Sequence, residues 1–263
     1  LELRGICKYF PGVKALEKVD VTLREGEIHA LMGGDGDGKS TLIKVLTGVY
    51  EKDGGESFVK GHQGAVAIRS PQDAQNIGIS TVNQGITLCP NLTVAENMVL
   101  REEPLRGGLF IDYAKAVKAT REISEKYRLP IDPNARVADL PVGMKQRVEI
   151  LKALYRGAKI LILDEPTAAL TDIEVEGLFK IIRKLTEEGK SVIFISHKMR
   201  EVLQISDRIT ILRSGEVVTT LGRSETDGQE LANLMIGREL SPSHYEKVEE
   251  PGDPVIQLRN VDY

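Results

Sequence analysis

One short run governs what this chain can become. Gly33-Gly-Asp-Gly-Asp-Gly38-Lys39-Ser40-Thr41 fits the pattern G-x-x-x-x-G-K-[ST]. It follows Ile28-His-Ala-Leu-Met32, which reads as a buried strand. It precedes a helical pattern with Leu42, Val45 and Leu46 on one face and Gly48 as the stop. Strand, glycine turn and helix in that order commit the chain to α/β architecture. The glycines let successive backbone N–H groups converge on an anion, and the helix N-terminus adds partial positive charge. The ligand this pattern selects is a phosphate chain. In that role Gly33, Gly34, Asp35, Gly36, Asp37, Gly38, Lys39, Ser40 and Thr41 wrap the phosphates. Lys39 reaches the β- and γ-phosphates, and the Ser40 hydroxyl ligates Mg2+. Asp35 and Asp37 are unusual company for a polyphosphate. A carboxylate aimed at it costs about 1–3 kcal/mol at an effective dielectric of about 20, and one aimed away is nearly neutral.

Two further strands end in polar residues. Ile160-Leu-Ile-Leu-Asp164-Glu165-Pro166-Thr167 and Val192-Ile-Phe-Ile-Ser196-His197 begin as continuous apolar runs, the mark of strands covered on both faces. Ligands of open parallel sheets gather at the carboxyl ends of the strands, so these ends belong beside the glycine turn. Asp164 suits Mg2+, Glu165 suits orienting or deprotonating an attacking water, and His197 suits the γ-phosphate or that water. Of the other histidines, His29 reads as a strand residue with a satisfied hydrogen bond, and His62 and His244 as surface.

The remaining pattern divides the chain. Leu1 to Ile6 and Val19 to Leu23 alternate as strands, while Val94 to Leu100, Tyr113 to Arg128 and Met144 to Tyr155 carry helical spacing. Ile173 to Leu185 reads as a crossover helix. Arg208 to Leu212 and Glu216 to Thr220 read as strands, and Gln229 to Ile236 as a last helix. Residues 239–254, with Ser241-Pro-Ser and Glu249-Glu-Pro-Gly-Asp-Pro254, read as a linker. After it, Ile256-Gln-Leu-Arg-Asn-Val261 repeats the pattern of Leu1-Glu-Leu-Arg-Gly-Ile6, so residues 255–263 are expected to be the first strand of a truncated second copy of the domain at 1–238. A net charge of −4 gives no electrostatic footprint for nucleic acid. Two cysteines make no disulfide framework, and no apolar run approaches the roughly 20 residues of a membrane helix.

In order and spacing these pieces resemble the ATP-binding subunit of ABC transporters over nearly the whole chain. The glycine loop stands first and Ser80-Thr-Val-Asn-Gln84 matches the Q-loop. Leu140-Pro-Val-Gly143-Met-Lys-Gln146-Arg-Val-Glu149 stands where the signature motif should be. Asp164-Glu-Pro-Thr167 stands as Walker B, Ala168-Ala-Leu-Thr171 as the D-loop and Ser196-His197 as the H-loop. The chain is most similar to tandem ATPases of ribose-, galactose- and xylose-type sugar importers. Phe10-Pro-Gly-Val-Lys-Ala-Leu16, Asn91-Leu-Thr-Val-Ala-Glu-Asn97 and Met235-Ile-Gly-Arg238 carry that closer likeness, and Leu140 to Leu154 also resembles simple-sugar and nucleoside importers.

The resemblance implies a P-loop, RecA-like core with an antiparallel β subdomain and a helical subdomain at about 88–155. It implies ATP hydrolysis with Mg2+. Phe10 would stack on adenine, with Tyr9 the neighbouring alternative; Gln84 would touch Mg2+ and the water; Asp164 would hold the metal; Glu165 would be the base and His197 would meet the γ-phosphate. The implied partners are a second ATPase half, membrane permease subunits and, indirectly, a solute-binding protein, with the chain peripheral on the cytoplasmic face of the membrane.

Departures from the family pattern sharpen the expectation. Pro141, Val142, Gly143 and Met144 replace the usual Ser-Gly-Gly-Gln, and proline offers neither a hydroxyl nor an N–H. This half's signature is therefore expected to serve a weak composite site. The family usually has Glu-Asn at Gly34-Asp35 and a small residue at Asp37. Two other classes compete. ABC proteins of chromosomes carry a long coiled coil between Lys39 and Gly143, and those of ribosomes a long charged linker; neither is here. A nucleotide-binding regulator without hydrolysis fits the loop aspartates but not the retention of Glu165 and His197.

Overall fold

The alternating strands at the start pair with each other. In the computed structural model, which describes residues 1–83, 85, 87–107 and 110–237, β1 (Glu2–Phe10) and β2 (Val13–Thr22) form an antiparallel hairpin. Its Leu3, Ile6, Leu16, Val19 and Val21 are buried. β3 (Ile28–Met32) is buried at every position and belongs to a different sheet. The glycine turn leads from it into α1 (Lys39–Leu46), which buries Leu42, Ile43, Val45 and Leu46. β4 (Gly54–Phe58) returns to pair with β1, giving a three-stranded sheet of order β2-β1-β4. Sequence reasoning missed β4, because Gly-Gly-Glu-Ser-Phe lacks the β-branched residues that mark a strand.

The chain continues through α2 (Pro71–Asn76), capped by Ser70, and β5 (Ile79–Val82). α3 (Val94–Val99) opens on a Thr93–Glu96 capping box. A small hairpin of β6 (Leu105–Arg106) and β7 (Phe110–Ile111) precedes α4 (Tyr113–Tyr127) and α5 (Val142–Tyr155). Strands and helices then alternate: β8 (Ile160–Asp164), α6 (Asp172–Glu187), β9 (Ser191–Ile195), α7 (Met199–Ile205), β10 (Arg208–Arg213), β11 (Glu216–Gly222) and α8 (Gly228–Ile236). The main sheet has the order β11-β10-β3-β9-β8-β5, parallel from β10 to β5 with β11 antiparallel at one edge.

Successive residues of β8 and β9 point to opposite faces, and each face has its own core. Leu161, Leu163 and Phe194 pack with Val94 and Met98 of α3, Val148 and Leu151 of α5, and Phe179 of α6. The Phe179 and Phe194 rings meet edge to face with centroids 5.9 Å apart. On the other face Ile162, Ile193 and Ile195 pack with Leu42 and Val45 of α1 and with Leu3 and Ile6 of β1. The stretch 88–155 thus holds α3, α4 and α5, and its apolar side chains run into the same core as β8 and β9. The linker at 239–254 and the repeated strand at 255–263 lie outside the described residues, as does His244.

The start of β3 carries a buried polar cluster. The Glu27 carboxylate accepts from the Arg24 amide at 2.5 Å and stands 3.2 Å from both His29 Nδ1 and Arg208 Nη1. His29 Nε2 lies 2.7 Å from Thr210 Oγ1, so this histidine is satisfied as expected. Burial pushes the Glu27 carboxyl up, but the His29 and Arg24 hydrogen bonds, with the charges of His29 and Arg208, outweigh it and hold the group below its ordinary value. A depressed carboxyl contributes stability that is full above that value of 4.5 and is lost as pH falls through the folded-state pKa. Glu27→Gln is expected to cost about 1–3 kcal/mol in urea unfolding at neutral pH, and to flatten the loss of stability on acidification.

Candidate active site

The glycine loop closes over its own lysine. α1 begins at Lys39 with Gly38 at the N-cap, φ +100°, and no side chain caps it among the described residues. Gly38 is required: a Cβ there would stand 2.6 Å from the Ala15 carbonyl oxygen of β2. Lys39 is buried, and its Nζ donates to the carbonyl oxygens of Gly33 at 2.9 Å and Gly34 at 2.7 Å. The loop edges a cavity of about 710 Å3 lined by every residue from Gly33 to Thr41 together with Asp164, Glu165, His197 and Met235. The carboxyl ends of β8 and β9 therefore do meet the loop.

Parallel pairing sets the acids. Asp164 is in register with Ile195 across the β8–β9 ladder, and the Glu165 N–H donates to the Ile195 carbonyl at 3.0 Å. Glu165 has φ +45°, a left-handed backbone that costs a non-glycine residue about 1–3 kcal/mol and turns the chain sharply out of the strand. Its Oε1 lies 3.0 Å from His197 Nδ1. Burial, and then the neighbouring Glu165 charge, push the Asp164 carboxyl up, while Lys39 and Lys44 oppose the shift. A divalent cation placed against Asp164 would relieve that repulsion. Among the described residues no group of three or more His, Cys, Asp or Glu side chains is gathered for a resident metal. A hydroxyl at Ser40 and a carboxylate at Asp164 fit Mg2+, which keeps waters and takes phosphate oxygens for its other positions.

A residue that sequence reasoning passed over braces this edge. Thr167 Oγ1 donates to Glu201 Oε2 at 2.5 Å, and Ser196 Oγ lies 3.3 Å from the same oxygen. Lys198 Nζ pairs with Glu201 Oε1 at 3.0 Å. Glu201 thereby ties the exit of β8 to the turn that carries His197. Its only mark in the sequence is its position four residues past His197, one turn into a helix.

Phe10 and the signature stretch do not line this cavity. Gln84 lies outside the described residues. Phe10 is not among the residues lining the cavity; it is partly exposed at the end of β1, edge to face with Tyr50 at 5.3 Å. The contact of Ala15 and Leu16 with Gly38 brings the β1–β2 hairpin to the flank of the loop. Pro141 is the N-cap of α5 and Val142 its first residue, while Gly143 and Met144 edge a separate small cleft with Arg147, Leu170 and Glu174. Glu174 closes a capping box on α6 by accepting from the Thr171 N–H at 3.0 Å and hydroxyl at 2.9 Å. Those bonds, with a contribution from the Gly143 amide, hold its carboxyl below the usual range. The signature stretch thus faces a carboxylate of its own chain, not the loop.

The comparisons with known proteins agree with one another. The family model described as ABC transporter matches residues 16–168. The chain is 48% identical to the ribose import ATP-binding protein RbsA 1 of Rubrobacter xylanophilus, over 99% of this chain and 52% of that protein. It is 45% identical to the guanosine import ATP-binding protein NupO of Bacillus subtilis, over 99% of this chain and 51% of that one. It spans about half the length of the curated relatives it matches. Among solved structures, the ATP-binding cassette MJ0796, a dimer in a post-hydrolysis state bound to ADP and Pi, superimposes with a TM-score of 0.69. That match has 26% identity and covers 84% of this chain and 98% of that one.

Proposed function

The chain belongs to the ABC transporter family, and from that premise we propose that it is an ATPase cassette whose hydrolysis of ATP drives uptake of a sugar or a nucleoside. The observation that carries the proposal is the meeting of Asp164, Glu165 and His197 with the loop from Gly33 to Thr41 around one cavity. The triphosphate lies along the loop amides, and Lys39 exchanges its two carbonyl partners for phosphate oxygens. Ser40, Asp164 and Gln84 would hold Mg2+, which would supply charge neutralisation at the phosphates. Glu165 takes the proton of the attacking water, and His197, oriented by its contact with Glu165, faces the γ-phosphate. Catalysis of this kind rests on positioning and on fixed charge where charge develops.

Residues 1–238 act as the cassette. Its own Walker residues serve one composite site, completed by a second cassette. Pro141 and the carboxylate of Glu174 beside Gly143 leave its signature poorly suited to a γ-phosphate, so the other composite site is the weaker one. No helix among the described residues is long and apolar enough to cross a membrane, and membrane permease subunits, fed by a solute-binding protein, provide the path for solute. Ribose-like sugars are the first solute class to test. Guanosine-like nucleosides are the second, favoured by the NupO likeness. Mg2+-dependent phosphate release from ATP tests the enzymatic reading, and release no faster than from the Glu165→Gln variant overturns it.

Adenine lies toward the β1–β2 hairpin and stacks on Phe10. Loss of base stacking of this kind is worth roughly 1–3 kcal/mol. Phe10→Ala is therefore expected to raise KM for ATP about tenfold and leave kcat nearly unchanged, and Tyr9→Ala to leave both nearly unchanged.

A further inference from the structure

Asp37 stands in the middle of the loop, where its charge should repel a polyphosphate, yet its carboxylate is already engaged. Oδ2 accepts from the Gly34 N–H at 2.5 Å and Oδ1 accepts from the Ser214 N–H at 2.9 Å. Its main-chain carbonyl accepts from the Gly215 N–H at 3.1 Å. Ser214 and Gly215 have φ +51° and +81° and form the two-residue turn that joins β10 to β11. That turn is held from its other side, since the Glu17 N–H of β2 donates to the Gly215 carbonyl at 2.8 Å. Asp35, by contrast, is exposed.

The residue at position 34 is matched to this arrangement. A Cβ on Gly34 would lie 3.1 Å from Asp37 Oδ2, so a side chain there would push the carboxylate by a few tenths of an ångström. Although Asp37 lines the cavity, both of its carboxylate oxygens are engaged by backbone amides.

We propose that Asp37 is a positioning residue: it latches the glycine loop to the β10–β11 turn and holds the loop in the shape that receives phosphate. The proposal rests on the reading of this cavity as the ATP site. It inverts the electrostatic expectation. Repulsion alone makes both Asp37→Ala and Asp37→Asn bind ATP more tightly. The latch makes Asp37→Ala weaker by about tenfold, the scale of one lost charge-assisted hydrogen bond. Asp37→Asn keeps one acceptor and falls between wild type and alanine. Gly34→Ala weakens ATP binding in the wild-type background and adds nothing once Asp37 is alanine.

The test has two readouts on the 263-residue chain. Calorimetric titration with Mg2+-ATP gives affinity, and amide exchange at Gly34 and Ser214 in the nucleotide-free protein reports the latch without any ligand. The expected result is faster exchange at both amides in Asp37→Ala together with the weaker binding. Unchanged exchange, or faster exchange with ATP affinity equal to or tighter than wild type, overturns the proposal. If the wild-type chain binds no ATP, the ATP reading falls, and the exchange comparison still decides whether Asp37 holds the loop.

Discussion

Glu165→Gln is expected to lower the rate of ATP hydrolysis by about 10²–10⁴-fold while leaving ATP affinity intact or slightly improved. Two features of the site separate chemistry from binding in this variant. Glu165 sits past the end of β8 in a left-handed backbone conformation, with Oε1 3.0 Å from His197 Nδ1. It lines the cavity, and in the proposed site it would face the γ-phosphate, where a carboxylate takes a proton but contributes no attraction to the nucleotide. Glutamine keeps the shape and can still contact His197, but it cannot accept the proton of the water. Removing one negative charge also relieves Asp164, whose carboxyl is pushed up by burial and then by the charge of Glu165. The measurement is single-turnover phosphate release beside an ATP titration on the same variant. A loss of affinity parallel to the loss of rate would assign Glu165 to binding and not to the proton transfer.

Lys39→Ala is expected to act on the other side of that division, weakening ATP binding by about 10²–10³-fold. The ammonium is buried and already desolvated, held by the carbonyl oxygens of Gly33 and Gly34 at 2.9 and 2.7 Å. Its exchange of two neutral acceptors for phosphate oxygens is favourable because the charge is moved toward charge in a screened-off site. Alanine removes that gain and leaves the two carbonyls facing the cavity. An ordinary surface lysine would change ATP affinity by less than about threefold, the scale of an exposed ion pair. Fluorescence titration with an ATP analogue distinguishes these outcomes.

Much of the site was legible because few sequence patterns produce it. A glycine run between an apolar strand and an amphipathic helix has one common structural solution, and Asp164, Glu165 and His197 follow apolar runs that must lie side by side in a parallel sheet. The cavity gathers all of them with Gly33 to Thr41. What sequence could not give is direction. The two loop aspartates look alike in the chain, but Asp35 faces solvent and Asp37 turns onto the amides of Gly34 and Ser214. Ser214 lies in a turn brought there by β10 pairing with β3 and by the bond from Glu17 of β2 to Gly215. Glu201 was invisible for the same reason, since Thr167 and Ser196 meet it through tertiary packing. β4 was missed because its glycines and polar residues make a strand by pairing with β1, not by their own preference. Phe10 lies at the end of β1 with its ring against Tyr50, outside the cavity lining, a placement that motif order alone does not give.

One ATP molecule is expected to occupy the cavity between the glycine loop and the ends of β8 and β9. Amide hydrogen exchange of the chain with and without Mg2+-ATP tests it most directly. New protection is expected at residues 36–41, at Asp164 and Glu165 and in the turn at His197, with little change in the cleft beside Glu174. Protection confined to other surfaces, or none at saturating ATP, would contradict it.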